Sequence, residues 1–319
     1  MPTSTVKTQL RTSFKHLRIP IRGYRFAVKI TVWAMLVAGG GVLALQPLIW
    51  CRLGGVLLLG LMFAHAAELQ HEALHNLGFR KAWANTAAGT LLGIPLGISF
   101  AAYRAAHLRH HRYLGTPQNR EFFDYGDQYG TDVEKSRLAS ARTWVSRFLM
   151  IQHFCAVAKE LVLCSFSRRK FEGETETTSR RIRGNYRVIF IALVLSLAVS
   201  VLLGRALTIW LWLVPLLVAA PTHAFVELPE HYRCETLDED PFKNTRSIRS
   251  NWIMTWFTNG NNFHVEHHLM PNLPMSQLPA LHVEIKDRLE YYHPTYRDFF
   301  RSLLPQTDTR RDSVPTERI

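Results

Sequence analysis

Cysteine is scarce in this 319-residue chain: Cys51, Cys155, Cys164 and Cys234 are the only four, with no C-x-x-C and no paired spacing. That excludes a disulfide framework and a zinc knuckle, and it suits a reducing compartment. Acidic residues are missing from residues 1–26, where Lys7, Arg11, Lys15, Arg18, Arg22 and Arg25 stand. No cleavable signal peptide is expected there, because the first apolar run begins too late and runs too long for an h-region. The plainer reading is a basic cytosolic arm, residues 1–25, resting on anionic lipid; an amphipathic targeting peptide would share its composition. An even spread of apolar residues is also missing. The chain is 47% hydrophobic, but those residues are bunched, and the net charge of +13 lies between the bunches. Basic clusters also bind nucleic acid, yet that function leaves the long apolar runs unexplained.

What is present is the pattern of an integral membrane protein, whose spans need about 20 apolar residues each. Four are expected, at about 26–50, 53–74, 188–203 and 206–228. Short links, at Cys51-Arg52 and Gly204-Arg205, make them two helical hairpins. Gly39, Gly40 and Gly41 in the first span suit close helix packing. Residues 84–103 are apolar enough for a further span, but Gly89, Gly93, Pro95 and Gly97 weaken a continuous helix. A span there would also set His107 on the opposite side from His71 and His75. A re-entrant or interfacial segment is expected instead. Residues 75–187 and 229–304 read as cytosolic, since excess Lys and Arg mark that side. Within them, Trp144 to Phe166 is expected to form one amphipathic helix on the membrane, and Glu172 to Arg180 a mobile loop. Residues 305–319 read as a disordered tail.

Eight of the fifteen histidines fall in three short blocks. His264, His267 and His268 stand at i, i+3 and i+4, as do His107, His110 and His111; His71 and His75 stand at i and i+4. On a helix, residues so spaced share a face, and neutral imidazoles on one face bind first-row metals. His71-Glu72-Ala73-Leu74-His75 also fits the zinc-protease pattern H-E-x-x-H, but Lys81 stands where the third histidine of the extended form belongs. That reading also leaves both His-x-x-His-His blocks idle. Eight imidazoles are too many for one ion and suit two. The span layout puts all three blocks on one side. A His-rich metal transporter is a distant alternative, as its ligands would lie near mid-membrane at discontinuous spans.

These blocks resemble those of the membrane fatty acid desaturase superfamily, which includes related hydroxylases and carotenoid-modifying enzymes. The likeness covers about residues 55–290, with Tyr103 to Leu114 and Asn262 to Pro274 similar to the desaturase branch. It implies an all-α membrane protein of four transmembrane helices with a helical cytosolic cap holding a di-iron site. By the same resemblance His231, 33 positions before His264, is expected as a ninth ligand. The implied reaction is O2-dependent introduction of a double bond into an acyl chain, carried as acyl-lipid, acyl-CoA or acyl-carrier protein. A hydroxylase or ketolase on an alkyl or carotenoid substrate is the alternative. Cofactors are then two iron ions, with O2 as co-substrate.

No His-Pro-Gly-Gly haem motif, ferredoxin-like cysteine run or flavin fingerprint occurs, so a separate ferredoxin or cytochrome b5 is the expected electron donor. The basic face would attract such an acidic partner. Glu72 and Glu266 are expected to orient ligating imidazoles, and Glu227, one turn after His223, is a further outer-shell candidate. Arg104, Arg109 and Arg112 read as juxtamembrane charge, and Asn261 and Asn262 as caps of the third block's helix. His65 is expected to be a packed polar residue, and His16, His153, His282 and His293 surface positions.

Overall fold

A computed structural model describes residues 12–119 and 137–304. The first part of the basic arm, with Lys7 and Arg11, and the tail at 305–319 lie outside the described residues. Among the described residues, four single helices are long and apolar enough to cross a membrane: Gly23–Ala44, Ile49–Leu74, Glu176–Leu202 and Ile209–Glu230. The first two are named α1 and α2. The first ends six residues earlier than the sequence suggested, because Pro47 in the link cannot supply the amide that continuation needs. α2 packs along α1 through a backbone approach at Gly55, where an added Cβ would stand 2.2 Å from the Ala44 nitrogen and 2.6 Å from the Gly40 oxygen.

Residues 84–103 form no continuous helix. α3 (Ala82–Gly93) and α4 (Phe100–Tyr113) are separated by a turn in which Gly97 has φ +71°. Ser99 caps α4, its hydroxyl accepting from the Ala102 amide. The stretch from Trp144 to Phe166 is two helices rather than one, α5 (Arg137–Phe148) and α6 (Ile151–Phe166), bent by 54°. Met150 occupies the left-handed region there at φ 49°, a conformation its side chain does not advertise. The segment expected to be a loop to Arg180 is already helical from Glu176. α7 (Glu176–Leu202) starts early because Thr175 caps it by accepting from the Thr178 amide.

The last long helix opens with a π-helical turn, Ile209–Leu213, continues as α8 (Val214–Glu227), and tightens to a 3-10 turn, Leu228–Glu230. It lies against α2, where Gly60 faces Val218 and the Pro215 carbonyl. Beyond it, short helices α9 (Pro241–Asn244), α10 (Trp252–Phe257), α11 (His264–Leu269), α12 (Leu278–Ile285) and α13 (Tyr296–Ser302) form a cap. The protein is mostly helical but not wholly so. β1 (Arg246–Ile248) and β2 (Tyr291–His293) pair in parallel, with Arg246 opposite Tyr291 and Ile248 opposite His293.

Two apolar cores matter for the histidines. One joins Phe26, Leu69, Ala73, Leu74, Ala220 and Ala224 where α1, α2 and α8 meet. The other lies in the cap, where Phe242, Phe263, Val265, Leu269, Leu273 and Leu281 enclose α11. Burial of several large side chains, at about 1.5–3 kcal/mol each, makes this six-residue helix a fixed platform. Alone it is far too short to persist in water.

Candidate metal centre

The C-terminal end of α2, the second half of α4, the turn after α8, and α11 converge at one end of the helix bundle. They bring together all nine histidines named from the sequence, in two groups. His71, His75, His107, His111 and His267 form one, and His110, His231, His264 and His268 the other; within each, the ligand atoms lie within 4.8 Å of one another. In the first group the Nε2 atoms of His71 and His107 are 2.8 Å apart, His107 and His75 3.0 Å, and His111 and His267 2.9 Å. In the second, His110 lies 3.2 Å from both His231 and His268, and His264 lies 3.1 Å from both.

The division follows helix geometry. On α4 the i and i+4 histidines, His107 and His111, join the first group while His110 crosses to the second. On α11 the same split runs the other way: His264 and His268 join the second group and His267 the first. Each helix therefore serves both groups, and the His111 and His268 rings meet across them, tilted by 32° with centroids 4.2 Å apart.

Do these residues fit a metal? Nitrogen ligands at about 2.1 Å from an ion stand about 3.0 Å apart when adjacent and about 4.2 Å when opposite. The observed spacings match. The hydrogen bonds agree as well. His231 Nδ1 faces the Asn244 carbonyl at 3.0 Å, which can only accept, so Nδ1 carries the proton and Nε2 offers its lone pair inward. His110 Nδ1 is 3.0 Å from Asn119 Oδ1, and His264 Nδ1 is 3.1 Å from Asn261 Oδ1. Unprotonated nitrogens held this close repel unless a proton or cation lies among them. Burial first, and neighbouring imidazoles second, hold His107, His111, His264, His267 and His268 well below the usual 6.5. These five are held neutral, as metal ligation requires.

The acids expected to orient imidazoles point elsewhere. Glu72 Oε2 takes Lys29 Nζ at 2.7 Å and Asn259 Nδ2 at 2.8 Å, joining α1, α2 and the loop before α11. Glu266, fully buried, accepts from the Ser247 hydroxyl and pairs with His282 Nδ1 at 2.6 Å. It thus ties α11 to β1 and α12. His282 is therefore no surface residue. His153 is half-buried, with Nε2 2.9 Å from the Leu96 carbonyl. His65 is buried, with Nδ1 2.6 Å from the Phe257 carbonyl. His16 is exposed and pairs with Glu284, and His293 is half-buried.

Asn261 and Asn262 do not cap α11, whose N-cap is Phe263 with no side-chain bond. Asn262 instead donates to the Ile248 carbonyl. Arg104 donates to the Leu74 carbonyl at 2.9 Å, closing the end of α2 between His71 and His75. Arg109 pairs with Glu174.

Three residues that the sequence reading did not single out stand beside the histidines. Glu230 Oε2 is 3.1 Å from His264 Nε2, while Glu230 Oε1 accepts from Asn261 Nδ2 at 2.7 Å. Its place next to His231 was the one available signal. The Tyr103 ring is 5.6 Å from that of His107 and 6.4 Å from that of His71. Burial, then the Glu227, Glu68 and Glu230 carboxylates, push its phenol well above 10.0. Arg246 is buried and donates to the Tyr232 carbonyl at 2.7 Å, clamping the turn that carries His231. An apolar groove of about 680 Å³ opens between α5, α8 and α13, lined by Trp144, Phe148, Phe225, Phe300 and Leu303 with Arg297 and Arg301. Phe225 in its wall stacks on Tyr296 at 5.3 Å.

Comparison with known proteins gives this arrangement a family. The dihydrorhizobitoxine desaturase of Bradyrhizobium elkanii is 28% identical over 235 residues, covering 70% of this chain and 65% of that protein. The Delta(8)-fatty-acid desaturase of Euglena gracilis is 24% identical over 270 residues, 76% of this chain and 63% of the other. An acyl-lipid (8-3)-desaturase of Rebecca salina is 24% identical over 306 residues, 89% of this chain and 68% of the other. The chain thus spans just under two thirds of the length of the first two relatives. The model of the family described as fatty acid desaturase matches residues 47–300, a stretch that contains all nine histidines, and the chain belongs to that family.

Proposed function

We propose that the protein is an O2-dependent fatty acyl desaturase whose nine histidines hold two iron ions. The observation that carries this reading is the pair of all-imidazole groups with Nε2 atoms turned inward. Imidazole suits iron, and the resemblance noted in the histidine blocks points the same way. When bound, an iron pair supplies the activation of O2 needed to remove hydrogen from an unactivated C–H bond. The chain's own residues do the positioning. Asn119, the Asn244 carbonyl and Asn261 fix the tautomers of His110, His231 and His264. The Lys29–Glu72–Asn259 network and the Glu266–His282 pair hold α2 and α11 at a set distance from each other. Glu230 adds a carboxylate to the four-histidine group, and Tyr103, kept protonated, offers a hydroxyl next to the five-histidine group.

In this reading the four long helices span the membrane with both termini and the histidines on the cytosolic side, as the excess of Lys and Arg requires. The acyl chain lies along the apolar groove lined by Phe148, Phe225 and Phe300, and fixing its position there would select the carbon that reacts. Two relatives are named as fatty acid or acyl-lipid desaturases, which supports an acyl substrate. Electrons come from a separate ferredoxin or cytochrome b5. The test is metal analysis of the purified full chain. Two irons bound by the histidine groups are expected, and both His110→Ala and His267→Ala should lose iron. One zinc with no iron would contradict the proposal.

A further inference from the structure

We propose a third metal site, separate from the histidine groups, in which Glu68, His223 and Glu227 hold one divalent transition-metal ion between α2 and α8. One carboxylate oxygen from each glutamate and one imidazole nitrogen lie within 4.8 Å of one another. His223 Nε2 is 3.3 Å from Glu227 Oε2. Glu68 is 2% and His223 3% exposed, so water contributes little to neutralising the group. The second observation is independent of the clustering: although the Glu68 carboxyl meets Asn261, its Oε1 is fully buried with no hydrogen-bond partner among the described residues. A carboxylate oxygen left so, beside a second carboxylate, is expensive in a low-dielectric interior. A divalent cation answers both the missing partner and the excess negative charge.

The ligand chemistry narrows the ion. Two carboxylates and one imidazole form a borderline set, suited to zinc, manganese or ferrous iron. Calcium and magnesium prefer all-oxygen surroundings. Three protein ligands leave positions open, which a first-row ion fills with water or a further ligand.

The placement gives the site a task. Glu68 is three residues before His71 on α2, about 4.5 Å along the helix axis, and Glu227 is four residues before His231. An ion here pins together the ends of the two helices that present His71, His75 and His231. The site stands on its own geometry and does not depend on which metal the histidine groups carry.

Metal counting on the full chain purified in detergent tests this. Transition metal totalling three ions per chain is expected in the wild type. Glu68→Gln and Glu227→Gln should each lose one ion. Affinity for added Mn2+ or Zn2+ at this site should fall at least ~10-fold, the lower end of what even an outer-shell change costs a metal site. His110→Ala should lose histidine-bound metal and keep the Glu68-dependent ion.

Thermal melting adds a second readout. Without a cation, replacing a buried carboxylate that has one unbonded oxygen by a neutral amide leaves the melting temperature level or raises it; with one, Glu68→Gln lowers it. A metal count unchanged by Glu68→Gln, or a raised melting temperature, overturns the proposal. Should neither variant fold, a wild-type count of two or fewer overturns it, and three supports it. Two irons with no Glu68-dependent ion would leave the di-iron reading standing. A Glu68-dependent ion without histidine-bound iron would do the reverse.

Discussion

Asn261 offers a sharp test of how the second group is held. Its side chain sits between two of the site's members, with Nδ2 donating to Glu230 Oε1 at 2.7 Å and Oδ1 accepting from His264 Nδ1 at 3.1 Å. Asn261→Ala removes both contacts, and the one Asn261 makes to the Glu68 carboxyl, without replacing a histidine. His264 is then free to carry its proton on either nitrogen, and the wrong tautomer cannot bind. Loss of such an outer partner typically weakens a metal site 10–100-fold, or about 1.4–2.7 kcal/mol. Loss of the charge-assisted bond to Glu230 should also lower stability by about 1.5–3 kcal/mol.

Competition with a graded chelator should therefore resolve one phase for each histidine group, beside any phase from the Glu68 site. One phase, from His110, His231, His264 and His268, shifts 10–100-fold toward weaker binding, while that from the five-histidine group stays in place. Asn261→Asp keeps the acceptor for His264 and should recover the tautomer part of the loss. If both phases move together, or neither moves, the division into two groups with separate supports is wrong.

Four further outcomes follow from the same geometry. His110→Ala and His267→Ala remove one ligand from different groups and should both abolish turnover, since each group needs the other; product chromatography with a supplied electron donor checks this. In the metal-free protein His107, His111, His264, His267 and His268 are held neutral, so below about pH 6.5 the unfolded chain binds protons that the folded chain refuses. Stability should thus fall as pH drops beneath that value, by about 1.4 kcal/mol per pH unit per histidine affected, and stay level above it. Denaturation at several pH values reads this slope directly. Gly60→Ala would set a Cβ 2.4 Å from Val218 Cβ and 2.7 Å from the Pro215 oxygen, costing about 1–3 kcal/mol by overpacking. Gly54→Ala meets nothing within 4 Å and should leave the melting temperature nearly unchanged.

Histidine spacing was legible because helix periodicity ties i, i+3 and i+4 to one face whatever the surroundings. Which imidazole joins which group was not, since the face alone does not say where a neighbouring helix lies. The long apolar helices were legible for the same one-dimensional reason, and their ends less so. Pro47 cut the first and the Thr175 cap extended the third. The bend at Met150 rests on a left-handed residue with no glycine to mark it.

Contacts made across the chain were hidden altogether. Lys29 meets Glu72 and Asn259 over separations of 43 and 230 residues. Glu266 finds Ser247 and His282 only after the cap has closed, and the three-residue strands β1 and β2 are too short to show alternation. For this reason Glu72 meets Lys29 and Asn259, and Glu266 meets His282, rather than the nine candidate ligands. Sitting between two ligands in sequence turns a side chain away from the face that the ligands share.

The most direct test of the account is lipid analysis in a host that supplies ferredoxin or cytochrome b5, comparing the wild type with His267→Ala. The account predicts an acyl product with one new double bond, formed only with O2 and absent from the variant. A hydroxylated product without new unsaturation, or a lipid profile that the variant leaves unchanged, would contradict it.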